Sequence, residues 1–136
     1  MIYAVVDTNV FVSALLSHYP DSATVKVVNA IFSRGICPLF NNEIIGEYND
    51  VLHRKKFCFP NEDVDFIIDT VRECGISAER IQSSEVFSDP KDVVFYEVAL
   101  SKDDAYLVTG NTKHFPKSPI VVTPAQMMEI LNEDKS

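Results

Sequence analysis

The sequence predicts an α/β fold: a three-layer α/β/α sandwich around a mostly parallel central sheet. Three observations predict it. Short apolar runs without polar alternation, such as Ile2–Val6, read as strands covered on both faces. Segments with apolar residues at helical spacing lie between them. Strand and helix alternate along the chain, which is the order that produces parallel sheets.

The elements follow in order. Ile2–Val6 is the first strand and Val10–Leu16 a helix, broken by "SHYPDSA". Asp21 or Ser22 can cap a helix over 23–33, where Ala23, Val27, Ala30 and Ile31 recur at helical spacing. Gly35 ends it, and Ile36–Phe40 reads as the second strand. Asn41 or Asn42 can cap a helix that runs to about Arg54. Pro60 and Asn61 open another, carrying Val64, Phe66, Ile67, Ile68 and Val71, and Gly75 stops it. "ERIQSSEVF", 79–87, is a weak strand signal. "SDPKD" begins a helix over about 90–102. Tyr106–Thr109 is a buried strand, "GNTKHFPKSP" a loop and Ile120–Val122 the last strand. Thr123 and Pro124 then cap and start a helix over Ala125–Leu131.

The 136 residues are expected to form one domain, 1–136, large enough for a core without disulfides or a structural metal. Apolar residues make up 46%, which excludes wholesale disorder. The net charge of −8 gives no global attraction to nucleic acid, so such a partner would need metal ions or a local basic patch. The three cysteines, Cys37, Cys58 and Cys74, are far apart and odd in number, so they read as core or semi-buried side chains. No apolar run reaches the ~20 residues of a membrane span. "MIYAVVDTN" has no basic leader region, so a cytoplasmic protein is expected.

In doubly wound sheets, sites form beyond the carboxyl ends of strands. Asp7 lies at such an end, and so does the "TGN" that contains Thr109 and Asn111. Asp7 could cap the next helix, but Thr8 and Asn9 can do that without charge. In "NNEIIGEYNDVLHR", Glu47 falls at the border of the apolar arc made by Ile44, Ile45, Tyr48, Val51 and Leu52. Glu43 lies further round, as a first-turn acid that favours the helix dipole. Asp50 points nearly opposite. In "SDPKDVVFYEVAL", Asp89 is a natural N-cap. Asp92 shares an arc with Phe95, Tyr96 and Ala99, where a charge needs compensation, while Glu97 points elsewhere. Asp7, Glu47 and Asp92 thus form a minimum oxygen donor set for Mg2+ or Mn2+. Such ions activate water and neutralise phosphate oxygens. His18, His53 and His114 show no metal-ligand spacing.

Five stretches in this order, "VVDTNVFVSALL", "NNEIIGEYNDVL", "SDPKDVVFYEVAL", "DAYLVTGNTKHF" and "VVTPAQMMEIL", give the chain a resemblance to PIN-domain proteins. Within them it is similar to the subgroup assigned as toxins of toxin–antitoxin pairs. The resemblance implies a metal-dependent endoribonuclease that hydrolyses single-stranded RNA to 5′-phosphate and 3′-hydroxyl ends. It matches Asp7, Glu47 and Asp92 to metal ligands, with Glu43 close enough to Glu47 to keep in view. Asn111 stands where many members carry a fourth aspartate; it is kept as a catalytic candidate, since its amide oxygen can coordinate a hard cation or, with Thr8, hold a metal-bound water. Thr8, Asn9, Asp89 and Thr109 are accessory candidates. Arg54, Lys55 and Lys56 in "HRKK", and Lys113 and Lys117 in "KHFPK", are candidate RNA contacts, with Phe57 or Phe115 able to stack on a base. A toxin implies an antitoxin partner, and the apolar faces of helices 10–16 and 23–33 could support a homodimer.

Other chemistries fit less well. There is no GxSxG elbow and no GxxxxGK[ST] loop. A covalent-aspartate phosphatase would want a second aspartate where Asn9 stands. The competing reading is a non-catalytic PIN-like interaction protein, which the neutral Asn111 favours.

Overall fold

The computed structural model describes residues 1–134. Along them run β1 (Ile2–Val6), α1 (Thr8–Leu16), α2 (Ala23–Phe32), β2 (Ile36–Phe40), α3 (Asn42–Leu52) and α4 (Asn61–Cys74). Next come β3 (Ile76–Ser77), α5 (Pro90–Ala99), β4 (Tyr106–Val108), β5 (Val121–Val122) and α6 (Pro124–Asp134). Single 3-10 turns occupy Lys55–Phe57 and Thr112–His114.

Among the described residues the strands form one five-stranded sheet in the order β3-β2-β1-β4-β5, and every pairing is parallel. The expected α/β sandwich is therefore present, and its sheet is wholly rather than mostly parallel. β1 is central, with Ala4 set between Pro38 and Tyr106. Ala4, Val5 and Val6 have no exposed surface, which explains why this strand shows no polar alternation. The strand order reverses at β1. Chain crossings to its left and right must therefore cover opposite faces if both are right-handed. α5 packs on β1, β4 and β2, while α2 and α4 pack on β2 and on each other.

Several expectations shift. The weak strand at 79–87 does not form. Its only large aliphatic residues, Ile81 and Val86, are exposed, and the edge strand is instead Ile76–Ser77, paired to Leu39 and Phe40. β3 starts directly after Gly75, where a side chain would collide with the carbonyl oxygens of Pro38 and Val71. α1 begins at Thr8 rather than Val10, because Asp7 takes the N-cap conformation. α5 ends at Ala99, and α6 continues to Asp134, beyond the expected Leu131. Cys37 is buried and Cys74 half-buried, but Cys58 is exposed.

The core is built around three aromatic rings that join three helices. Phe11 of α1 meets Tyr48 of α3 edge-on at 5.0 Å, and Tyr48 lies 6.2 Å from Phe95 of α5. The Tyr48 hydroxyl, wholly buried, donates a 2.5 Å hydrogen bond to the Val6 carbonyl at the end of β1. Burial and the neighbouring Asp7 charge push the Tyr48 pKa well up, so it stays a neutral donor. α1, α3 and α5 are thus fixed around the residue that precedes Asp7.

Candidate active site

Asp7 and Thr109 end β1 and β4, the two strands between which the sheet order reverses. This is the crevice where open α/β sheets place their sites. The Asp7 amide donates to the Val108 carbonyl at 2.9 Å, which continues the ladder to the strand tip. Its side chain makes no geometric capping bond to α1, although it occupies the N-cap position. Instead Asp7 Oδ2 accepts a 2.7 Å hydrogen bond from the Thr109 hydroxyl, and both residues are buried. Burial raises the Asp7 pKa. Thr109 and the nearby Asn9 and Thr8 amides partly oppose that shift.

Asp92 stands in the first turn of α5. Its Oδ2 is buried and has no hydrogen-bond partner. Burial is the largest cause that pushes its pKa up to about 6, and the charges of Asp7, Asp89 and Glu47 add to it. The charges of Asp7, Asp89 and Glu47 are therefore all felt at Asp92. Asp89 itself caps α5, accepting from the Lys91 amide at 2.9 Å. Glu47 is half-buried and lines an open depression of about 230 Å³ with Glu43, Pro90, Lys91 and Val94. Lys91, a cation at the edge of this acidic group, was not anticipated. Its place between Pro90 and Asp92 was the available signal.

Glu43 turns to a different task. Its carboxylate accepts from Arg80 Nη1 at 2.9 Å. Arg80 also donates from Nε at 2.8 Å to Glu97, and the Ser83 amide donates to the other Glu97 oxygen at 2.7 Å. Glu97 was expected to point away from the packing face. It is buried on α5, because the irregular segment after β3 folds over it and supplies these donors. The Ser83 amide and Arg80 hold its pKa below the usual range.

Asn111 is exposed and lines a depression of about 200 Å³ with Asn9, Val10, Ser13, Thr24 and Gly110. Its amide donates to the Thr109 hydroxyl at 3.0 Å, and Asn9 Oδ1 accepts from the Gly110 amide at 3.3 Å. The turns after β1 and β4 are therefore bonded to each other. Thr8 Oγ1 is buried without a partner. His114 was not singled out by spacing, yet its Nδ1 lies 3.7 Å from Asp92 Oδ2.

The basic candidates divide. Lys113 and Lys117 line a cavity of about 420 Å³ in the loop that follows Asn111. Arg54 pairs with Asp50 one turn back on the same face, and Lys56 sits over the Phe57 ring. Arg54 lies seven residues beyond Glu47, past the end of α3 at Leu52. Phe115 is buried against Phe87, and Phe57 is stacked on Phe59 at 5.2 Å, so Phe115 has no free face for a base.

Among the described residues no three His, Cys, Asp or Glu side chains form a ready-made metal cage. The donor chemistry fits a hard divalent cation all the same. Asp92 presents a buried, unpartnered carboxylate oxygen within the field of Asp7 and Glu47, and such ions retain several waters in incomplete protein shells. Among the described residues no helix is long and apolar enough to cross a membrane.

A search of curated proteins gives no match to this chain. The family model described as "PIN domain" matches residues 3–113, a span that contains Asp7, Glu47, Asp92 and Asn111. A five-stranded, wholly parallel sheet and a family match over residues 3–113 together make this chain a member of the PIN domain family.

Proposed function

We propose that this chain, as one domain over 1–136, is a divalent-metal-dependent endoribonuclease acting on single-stranded RNA. The observation that carries the reading is Asp92. Its Oδ2 is buried without a hydrogen-bond partner, and the charge of Asp7 presses on it from the adjacent strand end. An arrangement that stores like charge in a low-dielectric crevice is suited to a cation.

Asp7, Glu47 and Asp92 would hold Mg2+ or Mn2+, which when bound supplies Lewis acidity to water and to phosphate oxygens. Thr109 holds the Asp7 carboxylate in one orientation. Lys91, Lys113 and Lys117 would meet RNA phosphates at the margins of the acidic group. Arg54, Lys55 and Lys56 remain candidates for a more distant stretch of RNA. Family resemblance extends the proposal to a toxin whose activity an antitoxin blocks; the proposed setting is cytoplasmic, and the apolar faces of helices 10–16 and 23–33 could support a homodimer. A small DNA-binding protein encoded beside this chain would support the toxin assignment.

A second reading, a non-catalytic PIN-like interaction protein, is favoured by the neutral Asn111. Purified chain is incubated with single-stranded RNA and Mg2+ or Mn2+, beside Asp7→Asn and Asp92→Asn. We expect metal-dependent cleavage that falls at least 100-fold in both variants. Undiminished cleavage in both would remove the proposed site. Demonstrated metal binding without cleavage of varied RNA sequences would favour the interaction reading.

A further inference from the structure

We propose that His114 is a fourth donor of the metal centre, its imidazole taking the coordinating role that the neutral Asn111 leaves open. This rests on the reading that Asp7, Glu47 and Asp92 hold the ion.

The chain fixes the backbone that carries this ring. The 3-10 turn Thr112–His114 folds directly back on the "TGN" turn, with the His114 amide donating to the Asn111 carbonyl at 3.0 Å. The next residue, Phe115, is buried and packs edge-on against Phe87. Phe87 in turn packs on Tyr96 of α5, with ring centroids 5.7 Å apart. The turn is thereby pinned to the helix that carries Asp92. His114 stands next to that anchor, half exposed, with Nδ1 3.7 Å from Asp92 Oδ2.

That separation is too long for a hydrogen bond. It does lie within the span of two donors that share one ion at about 2.1 Å each. Asp92 Oδ2 is also the atom that has no other partner. The contact that places the ring is the one to Asp92 Oδ2, on the helix whose first turn carries that acid. Asn111 does not compete for this place. It lines the depression with Asn9, Ser13, Thr24 and Gly110.

The chemical consequence is metal choice. Mg2+ strongly prefers oxygen, whereas imidazole suits later first-row ions and affinity rises along that series. A site with one imidazole should therefore favour Mn2+ over Mg2+ more than an all-carboxylate site does.

The test uses the whole chain loaded with Mn2+ and needs no RNA. Pulsed electron paramagnetic resonance should detect coupling to one imidazole nitrogen. His114→Ala should abolish it, while His18→Ala and His53→Ala should keep it. Mn2+ titration should show His114→Ala binding roughly ten-fold more weakly, and His114→Asp regaining affinity while shifting the preference toward Mg2+. Circular dichroism checks that each variant folds. Bound Mn2+ without nitrogen coupling, together with unchanged affinity in His114→Ala, would overturn the inference. If Asp7→Asn and Asp92→Asn abolish Mn2+ binding in that case, the carboxylate reading survives alone. If wild-type protein binds no Mn2+, or those variants bind it equally, both readings fall.

Discussion

Thr109 donates its hydroxyl proton to Asp7 Oδ2 across 2.7 Å, which joins two residues 102 positions apart at the tips of adjacent strands. The same hydroxyl accepts the Asn111 amide at 3.0 Å. One buried side chain therefore orients the first acid and closes the turn that leads to His114. Thr109→Val keeps the shape and removes both bonds. Its expected effects are a further rise in the Asp7 pKa and a several-fold loss of Mn2+ affinity, with Thr109→Ser close to wild type. Calorimetric Mn2+ titration of both variants checks this, and equal affinity in Thr109→Val would refute the orienting role.

Asp92 makes stability depend on pH in an unusual direction for a carboxylate. Its pKa of about 6 lies above the unfolded value of about 3.9. The native state thus takes up the proton first, and stability from this group grows as pH falls from about 6 to about 4. Above that window the ionised carboxylate destabilises the metal-free protein by about 1–2 kcal/mol. Metal-free Asp92→Asn should melt higher than wild type at pH 7.5 and no higher near pH 4. Saturating Mn2+ should reverse the order at pH 7.5, because binding stabilises only the wild type. Thermal melts with and without metal read both outcomes.

Arg80 and Glu97 tie the irregular segment after β3 to α5, and Glu43 extends the tie to α3. Arg80→Ala leaves Glu97 buried without its cation. We expect a loss of about 2–4 kcal/mol, with Arg80 exposure softening the effect of a broken buried pair. Glu43→Gln should lose less than about 1 kcal/mol, because that half of the contact is solvated. Urea unfolding of the two variants measures the difference. Equal losses would show that Arg80 does not act mainly through Glu97.

Gly75 fits between the Pro38 and Val71 carbonyl oxygens because it has no side chain. Its backbone is extended, so close approach rather than left-handed geometry excludes other residues. Gly75→Ala should destabilise by at least about 2 kcal/mol and loosen β3. Gly46→Ala, where a Cβ meets nothing within 4 Å, should be neutral or stabilising. Unfolding curves and amide exchange at Ser77 distinguish these outcomes.

The sequence alone determined the α/β order, the place of Asp7 and Asn111 beyond strand ends, and the helical settings of Glu47 and Asp92. Those features are local: periodicity, capping residues and unbroken apolar runs record them directly. It misread 79–87 as strand because a short edge strand leaves almost no pattern in two residues. It sent Glu97 outward because the helical wheel of α5 cannot see a distant arginine folding over it. It passed over His114 because spacing along the chain does not record a 3.7 Å approach across 22 residues. Only the tertiary structure decided which charges share a field, which aromatic rings are already engaged, and which carboxylate oxygen lacks a partner. Those properties arise from burial and long-range packing, which exist only after strands and helices from separate parts of the chain meet.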